Sequence, residues 1–143
     1  MAKIYVGCAL TDAPTTFANQ VEELKALLRE EGHEVADFVG TVKGTASEVY
    51  ETDIHKCVAN SDIFIAVCDY PSIGLGWEIG TAVEKHGKPV LAVAHRNDKV
   101  TRMLSGAVSD RNPLYRFFRY STMADIVVAV SKFLFELEIK IRA

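Results

Sequence analysis

The chain has 143 residues, 49% of them hydrophobic and 24% charged, with a formal charge of −3 and a pI near 5.8. That length suits one compact domain over residues 1–143 with a single sizeable core, and it calls for no second domain. The acidic balance excludes a nucleic-acid backbone as the main partner, since such binding is driven by clustered Lys and Arg, but a free nucleotide needs only one local site.

The longest apolar stretches, Ile63 to Cys68 and Ile126 to Val130, fall far short of the roughly 20 residues a membrane span requires, so no membrane partner is expected. Met1 runs straight into a strand-like Ile4-Tyr5-Val6 with no leader pattern. Cys8, Cys57 and Cys68 are odd in number and form no C-x-x-C pair, which predicts a reducing, cytoplasmic setting without disulfides. His33, His55, His86 and His95 lack metal-ligand spacing, and no metal or cofactor is expected.

Strand and helix patterns alternate along the chain. A first strand near Lys3–Gly7 leads into a loop from Cys8 to Pro14. Phe17, Val21, Leu24, Leu27 and Leu28 then recur at helical spacing until Gly32 supplies a stop. A second strand is predicted over Glu34–Val39 and a loop over Gly40–Thr45. An amphipathic helix over Ala46–Asn60, with Val49, Ile54, Cys57 and Val58 on one side, precedes the third strand. That strand, Ile63 to Val67, is nearly all apolar, as a central strand buried on both faces should be. A loop from Asp69 to Gly76 follows, then a helix from about Trp77 to His86 closed by Gly87 and Pro89. Pro89–Ala94 reads as a fourth strand, Val100–Val108 as a short helical segment, Tyr115–Arg119 as a fifth strand, and the stretch from Ile126 to Leu137 as a docking helix. The pattern defines an α/β fold, a doubly wound parallel sheet with helices on both faces. In such sheets ligands bind outside the carboxyl ends of the strands, so the loops after strands one, three and four should build the site.

The segment richest in chemistry is Pro71-Ser72-Ile73-Gly74-Leu75-Gly76-Trp77-Glu78-Ile79-Gly80. It places two glycines and a hydroxyl just before a carboxylate at a predicted helix N-terminus. Amide groups there suit a phosphate or sugar oxygen, and the helix dipole would keep Glu78 ionised, as a nucleophile must be. The pattern alone favours the plainer reading of a first-turn acid beside two turn glycines.

Gly74-Leu75-Gly76-Trp77-Glu78-Ile79-Gly80-Thr81-Ala82 followed by Gly87-Lys88-Pro89-Val90 resembles the signature of the nucleoside 2-deoxyribosyltransferase superfamily. The resemblance covers nearly the whole chain. It implies a flavodoxin-like five-stranded sheet and a covalent mechanism in which Glu78 attacks the anomeric carbon of a deoxyribosyl group, with water or a second base resolving the intermediate. It implies further that Tyr5, on the first strand, orients that carboxylate, and that Asp53 contacts or protonates the leaving base. Asp53 lies nine residues before Asp62, one more than the resemblance leads one to expect, and Glu51 is the other candidate for its role. Gly7, Ser72, Gly74, Gly76, Thr101 and Met103 are the implied substrate-binding positions, with the Thr101 segment reaching into a neighbouring subunit. The implied assembly is a homodimer with shared sites, or a higher oligomer built from it; Thr101 also fits a helix N-cap.

Ser72 and Thr101 resemble the hydroxyl donors of the 2′-deoxynucleoside 5′-phosphate N-hydrolase branch, which points to hydrolysis of deoxynucleoside monophosphates. Ala9 and Thr11 stand where that branch carries a serine and an arginine, and the first loop resembles the transferases instead. A transferase moving deoxyribose between bases therefore stays open beside the hydrolase. So does a non-catalytic nucleotide-binding module, although such a module would need no acid at position 78.

Overall fold

The computed structural model describes residues 1–36 and 44–142, with side chains through residue 138. Five strands, β1 (Lys3–Cys8), β2 (Glu34–Val35), β3 (Ile63–Val67), β4 (Val90–His95) and β5 (Tyr115–Tyr120), form one sheet in the order β2-β1-β3-β4-β5. Every pairing is parallel. This is the flavodoxin-like order expected, and it puts the topological switch point between β1 and β3.

The helices are α1 (Thr15–Glu30), α2 (Ala46–Tyr50), α3 (Ile73–Gly80), α4 (Met103–Gly106) and α5 (Met123–Arg142). Two of them change winding partway: α2 continues as a π-helix, π1 (Glu51–Val58), and α3 as a second one, π2 (Thr81–Lys85). No described helix is long and apolar enough to cross a membrane.

Strand alternation divides the core in two. Ile4 and Val6 of β1, Ile63, Ile65 and Val67 of β3, and Leu91 and Val93 of β4 face one cluster with Phe17, Leu24 and Leu28 of α1 and Ile126 and Val130 of α5. Tyr5, Phe64, Ala66, Val90 and Ala92 face the opposite cluster, which also holds Val58 of π1, Leu75 of α3, Ala82 of π2 and Leu104 of α4. Because β3 contributes to both, all five of its residues are buried. Gly32 ends α1 at φ +91°, a backbone state that a Cβ disfavours, and its N–H returns to the Arg29 carbonyl at 2.9 Å.

Several boundaries differ from the sequence-based expectation: β1 runs on to Cys8, β5 to Tyr120, α4 is confined to Met103–Gly106 and α5 spans Met123–Arg142, and three more differ as follows. The second strand spans Glu34–Val35 and has ended at Ala36, and residues 37–43, which carry the remainder of that prediction and most of the following loop, lie outside the described residues. The fourth strand begins at Val90 and runs on to His95. The helix expected from Trp77 begins at Ile73, because the Ser72 hydroxyl caps it by accepting the Leu75 N–H at 3.2 Å, and both glycines are absorbed into its first turn.

Ile65 is fully buried in the middle of β3. Ile65→Ala should cost about 2–5 kcal/mol, read as a lowered denaturant midpoint with an unchanged slope in urea unfolding.

Candidate active site

Tyr5 and Gly7 occupy alternate positions on β1 and so point to the same face of the sheet, toward α3. Glu78 comes down on them from the second turn of that helix and is 7% exposed. An ideal Cβ on Gly7 would stand 3.2 Å from Glu78 Oε2 and 3.0 Å from both Leu75 Cδ1 and Phe64 Cζ. Gly7 is therefore a packing requirement: a side chain there would occupy the space the carboxylate uses. That clearance stands beside the substrate contact that the resemblance implies for Gly7.

The Tyr5 ring, 1% exposed, is fixed by Phe64 at a centroid separation of 5.1 Å. Its hydroxyl lies beside the Glu78 carboxyl, and the contact between them favours the ionised form of that carboxyl. Burial pushes the Glu78 carboxyl up to about 7, with the Tyr5 contact opposing that rise and the charge of Asp53 adding to it. Burial and the neighbouring Glu78 raise the Tyr5 phenol well above its ordinary range, so it stays protonated. The expectation that a helix N-terminus keeps Glu78 ionised is thus corrected. The helix starts earlier, Glu78 falls beyond its first turn, and desolvation outweighs the dipole, which acts only near the helix end.

Asp53 projects from π1, half-buried, with Oδ1 sealed from solvent and without a hydrogen-bond partner among the described residues. Burial raises its carboxyl above the usual range. The same helix brings Cys57, a residue the sequence reading left out, close enough for Asp53 and Glu78 to help raise its thiol to about 11, after burial. A π-helix takes one more residue into each hydrogen-bonded turn than an α-helix. Its presence over Glu51–Val58 gives a physical account of the extra residue between Asp53 and β3. Asp53 is electrostatically coupled to both Tyr5 and Glu78, whereas Glu51 is exposed.

Two cavities, each of about 370 Å³, flank the start of α3. The first is lined by Ala9, Thr11 and Asp12 of the β1–α1 loop together with Ser72, Ile73 and Gly74. Gly74 stands one turn before Glu78 on the same helix face, so this cavity and the carboxylate are carried by the same helix. The second lies between α3 and the β4–α4 loop, where Ser72, Gly76 and Ile79 meet Lys99, Thr101 and Leu104. Ser72 is common to both. Of the amides expected to face a ligand, Leu75 N–H is taken by Ser72 Oγ and Gly76 N–H by the Ser72 carbonyl at 3.1 Å. Thr101 Oγ1 accepts the Met103 N–H at 3.3 Å, and Met103 itself is 79% exposed and lines neither cavity.

The structure thus brings Tyr5, Gly7, Asp53 and Glu78 together, and Ser72, Gly74, Gly76 and Thr101 into the adjoining cavities, while Met103 stands apart. Phe64 and Leu75, which crowd the space over Gly7, were missed. The period-2 pattern of β3 and the position of Leu75 one turn before Glu78 were the signals that could have found them.

No family model matches the chain. It is 31% identical over 137 residues, 91% of either chain, to a protein of Thermofilum pendens (strain DSM 2475 / Hrk 5) assigned as 2′-deoxynucleoside 5′-phosphate N-hydrolase 1. A Methanococcoides burtonii protein assigned the same name is 36% identical over 86 residues, 55% of this chain and 70% of the relative. Among solved structures, the CMP N-glycosidase BcmB of Clostridium botulinum shares the fold at a TM-score of 0.68, covering 92% of this chain and 98% of that one at 18% identity. Fold and relatives together define an enzyme that cleaves N-glycosidic bonds. The chain belongs to the 2′-deoxynucleoside 5′-phosphate N-hydrolase 1 family.

Gly7→Ala should displace the Glu78 carboxylate and lower turnover at least about tenfold, at a stability cost of about 1–3 kcal/mol, measured by base release and by urea unfolding. Glu78 also makes stability pH-dependent. A carboxyl held at about 7 when folded, against an ordinary 4.5, binds its proton more tightly in the folded state, so its contribution is full below about 4.5 and is lost as pH rises through 7. Glu78→Gln should therefore be more stable than wild type at about pH 8, by on the order of 3 kcal/mol, and the difference should vanish near about pH 4 in unfolding titrations.

Proposed function

We propose that the chain hydrolyses the N-glycosidic bond of 2′-deoxynucleoside 5′-monophosphates by double displacement at Glu78. The observation that carries this reading is the burial of the Glu78 carboxyl against Gly7 and Tyr5, close enough to a second raised carboxyl, Asp53, for the two to interact. Such a pair divides the work of a retaining glycosidase. Ionised Glu78 attacks C1′ as the C1′–N bond breaks, and the bonding electrons leave with the base, whose ring nitrogen takes the Asp53 proton. The resulting glycosyl ester is attacked at C1′ by water, Asp53 accepts the water proton, and Glu78 leaves as carboxylate. The products are the free base and 2-deoxyribose 5-phosphate. The Tyr5 phenol, held protonated, orients the nucleophile throughout.

We read the two cavities that share Ser72, with Gly74 on one side and Thr101 on the other, as the place of the substrate's 5′ substituent, and the names of the relatives support a phosphate there. Exposed Ile73 and Trp77, one turn apart on α3, offer an apolar surface on which a second copy would seat, in keeping with a homodimer. A transferase reading is favoured by one feature, Ala9 and Thr11 lining the first cavity where the hydrolase branch would present a serine and an arginine.

Base release from the four deoxynucleosides and their 5′-monophosphates, with and without a second free base, tests both readings by chromatography. Release from monophosphates without an acceptor is the expected result; acceptor-dependent formation of a new deoxynucleoside would replace it with the transferase. Glu78→Ala should lose about 10³-fold or more in turnover with the fold intact, and kcat/KM of the wild type should rise with pH through about 7 as Glu78 ionises.

A further inference from the structure

Outside the reaction centre, the chain ends of β3, β4 and β5 converge on one carboxylate. Asp69, just past β3, accepts the His95 N–H on Oδ1 at 3.3 Å and the Tyr120 hydroxyl on Oδ2. His95 is the last residue of β4 and Tyr120 the last of β5, and their rings meet edge to face at 5.6 Å. Arg119 Nη1 adds hydrogen bonds to the His95 carbonyl at 3.0 Å and the Asp98 carbonyl at 2.6 Å, which hold the first turn of the β4–α4 loop. On the other flank Tyr70 packs against Phe17 of α1 at 4.8 Å.

What makes this cluster more than a strand-end tie is where the two loops go. The loop leaving β3 passes from Asp69 through Pro71 to Ser72, and the loop leaving β4 passes from His95 to Thr101. Ser72 and Thr101 then line the same cavity of about 370 Å³. One carboxylate therefore sets the starting point of both loops that deliver a hydroxyl to that cavity. Hydrogen bonds to an ionised acceptor are the stronger kind, and displacements of about 1 Å in a binding group are enough to weaken ligand capture.

We propose that Asp69, held by Tyr120, is a positioning residue that fixes the gap between Ser72 and Thr101 and thereby the enzyme's grip on the 5′ group of its substrate. The proposal rests on the reading that these hydroxyls serve that group. Glu78, Tyr5 and Gly7 are fixed by β1 and the second turn of α3, so the chemical step after binding keeps its geometry when the tie is loosened.

The test compares the full-length wild type with Tyr120→Phe, which removes one hydrogen bond and little volume, and with Asp69→Ala, which removes both. Amide hydrogen exchange should accelerate about fivefold or more in residues 72–76 and 96–103 together, with β1 unchanged. KM for the monophosphate should rise about tenfold with kcat held within about twofold, and the rise should shrink for the unphosphorylated deoxynucleoside. Unchanged exchange in both loops, or a fall in kcat with KM unmoved, would overturn the proposal. A wild type that turns over no monophosphate would sink the proposed reaction, and the exchange result would still decide the tie. Monophosphate turnover that is identical in all three proteins would do the reverse.

Discussion

Burying a carboxylate costs free energy that must be offset nearby, and the architecture around Glu78 follows from that cost. The pocket that removes it from water is made by leaving something out, the side chain at position 7, and by filling the flanks with Leu75 and Phe64. A phenol stands beside the carboxyl in partial compensation, while Asp53 works against ionisation. The result is a group poised near neutrality, ready to lose its proton yet weakly solvated when it does.

The sheet order makes this arrangement possible. With β1 and β3 adjacent and their connections leaving on opposite faces, the carboxyl edge opens into a crevice, and α3 starts from the β3 side of it. The same edge carries Ser72 and, across the second cavity, Thr101. Reaction centre and flanking cavities are thus built from consecutive strand ends, each fixed by backbone pairing that runs the length of the core.

Much of this was legible in the sequence. The near-continuous apolar run of β3 and the helical spacing of Phe17, Val21, Leu24 and Leu28 specify buried elements directly, and the alternation of the two patterns specifies a parallel sheet. Glu78, Tyr5 and Asp53 were found through resemblance, because a lone tyrosine on a strand and an acid on a helix carry no chemistry by spacing alone. The start of α3 was misplaced since glycines read as turn residues, and nothing local shows that Ser72 will cap a helix that runs straight through them. The strand-end tie at Asp69 was invisible for a different reason: its partners lie 26 and 51 residues away, so only the folded register brings them together. The ionisation state of Glu78 was misjudged because burial belongs to the tertiary structure.

The two stretches of π winding, π1 and π2, lie against one another beside the reaction centre, and π1 carries Asp53. Such winding is metastable, since the wider turn has poorer contacts than an α-helix and is kept where the surrounding structure requires it. A helix of this kind can gain or lose a single codon without moving its ends; the change appears as a rotation of the side chains it carries. Within this lineage, the carboxyl that π1 holds beside Glu78 could therefore be re-aimed by insertions and deletions as readily as by substitution.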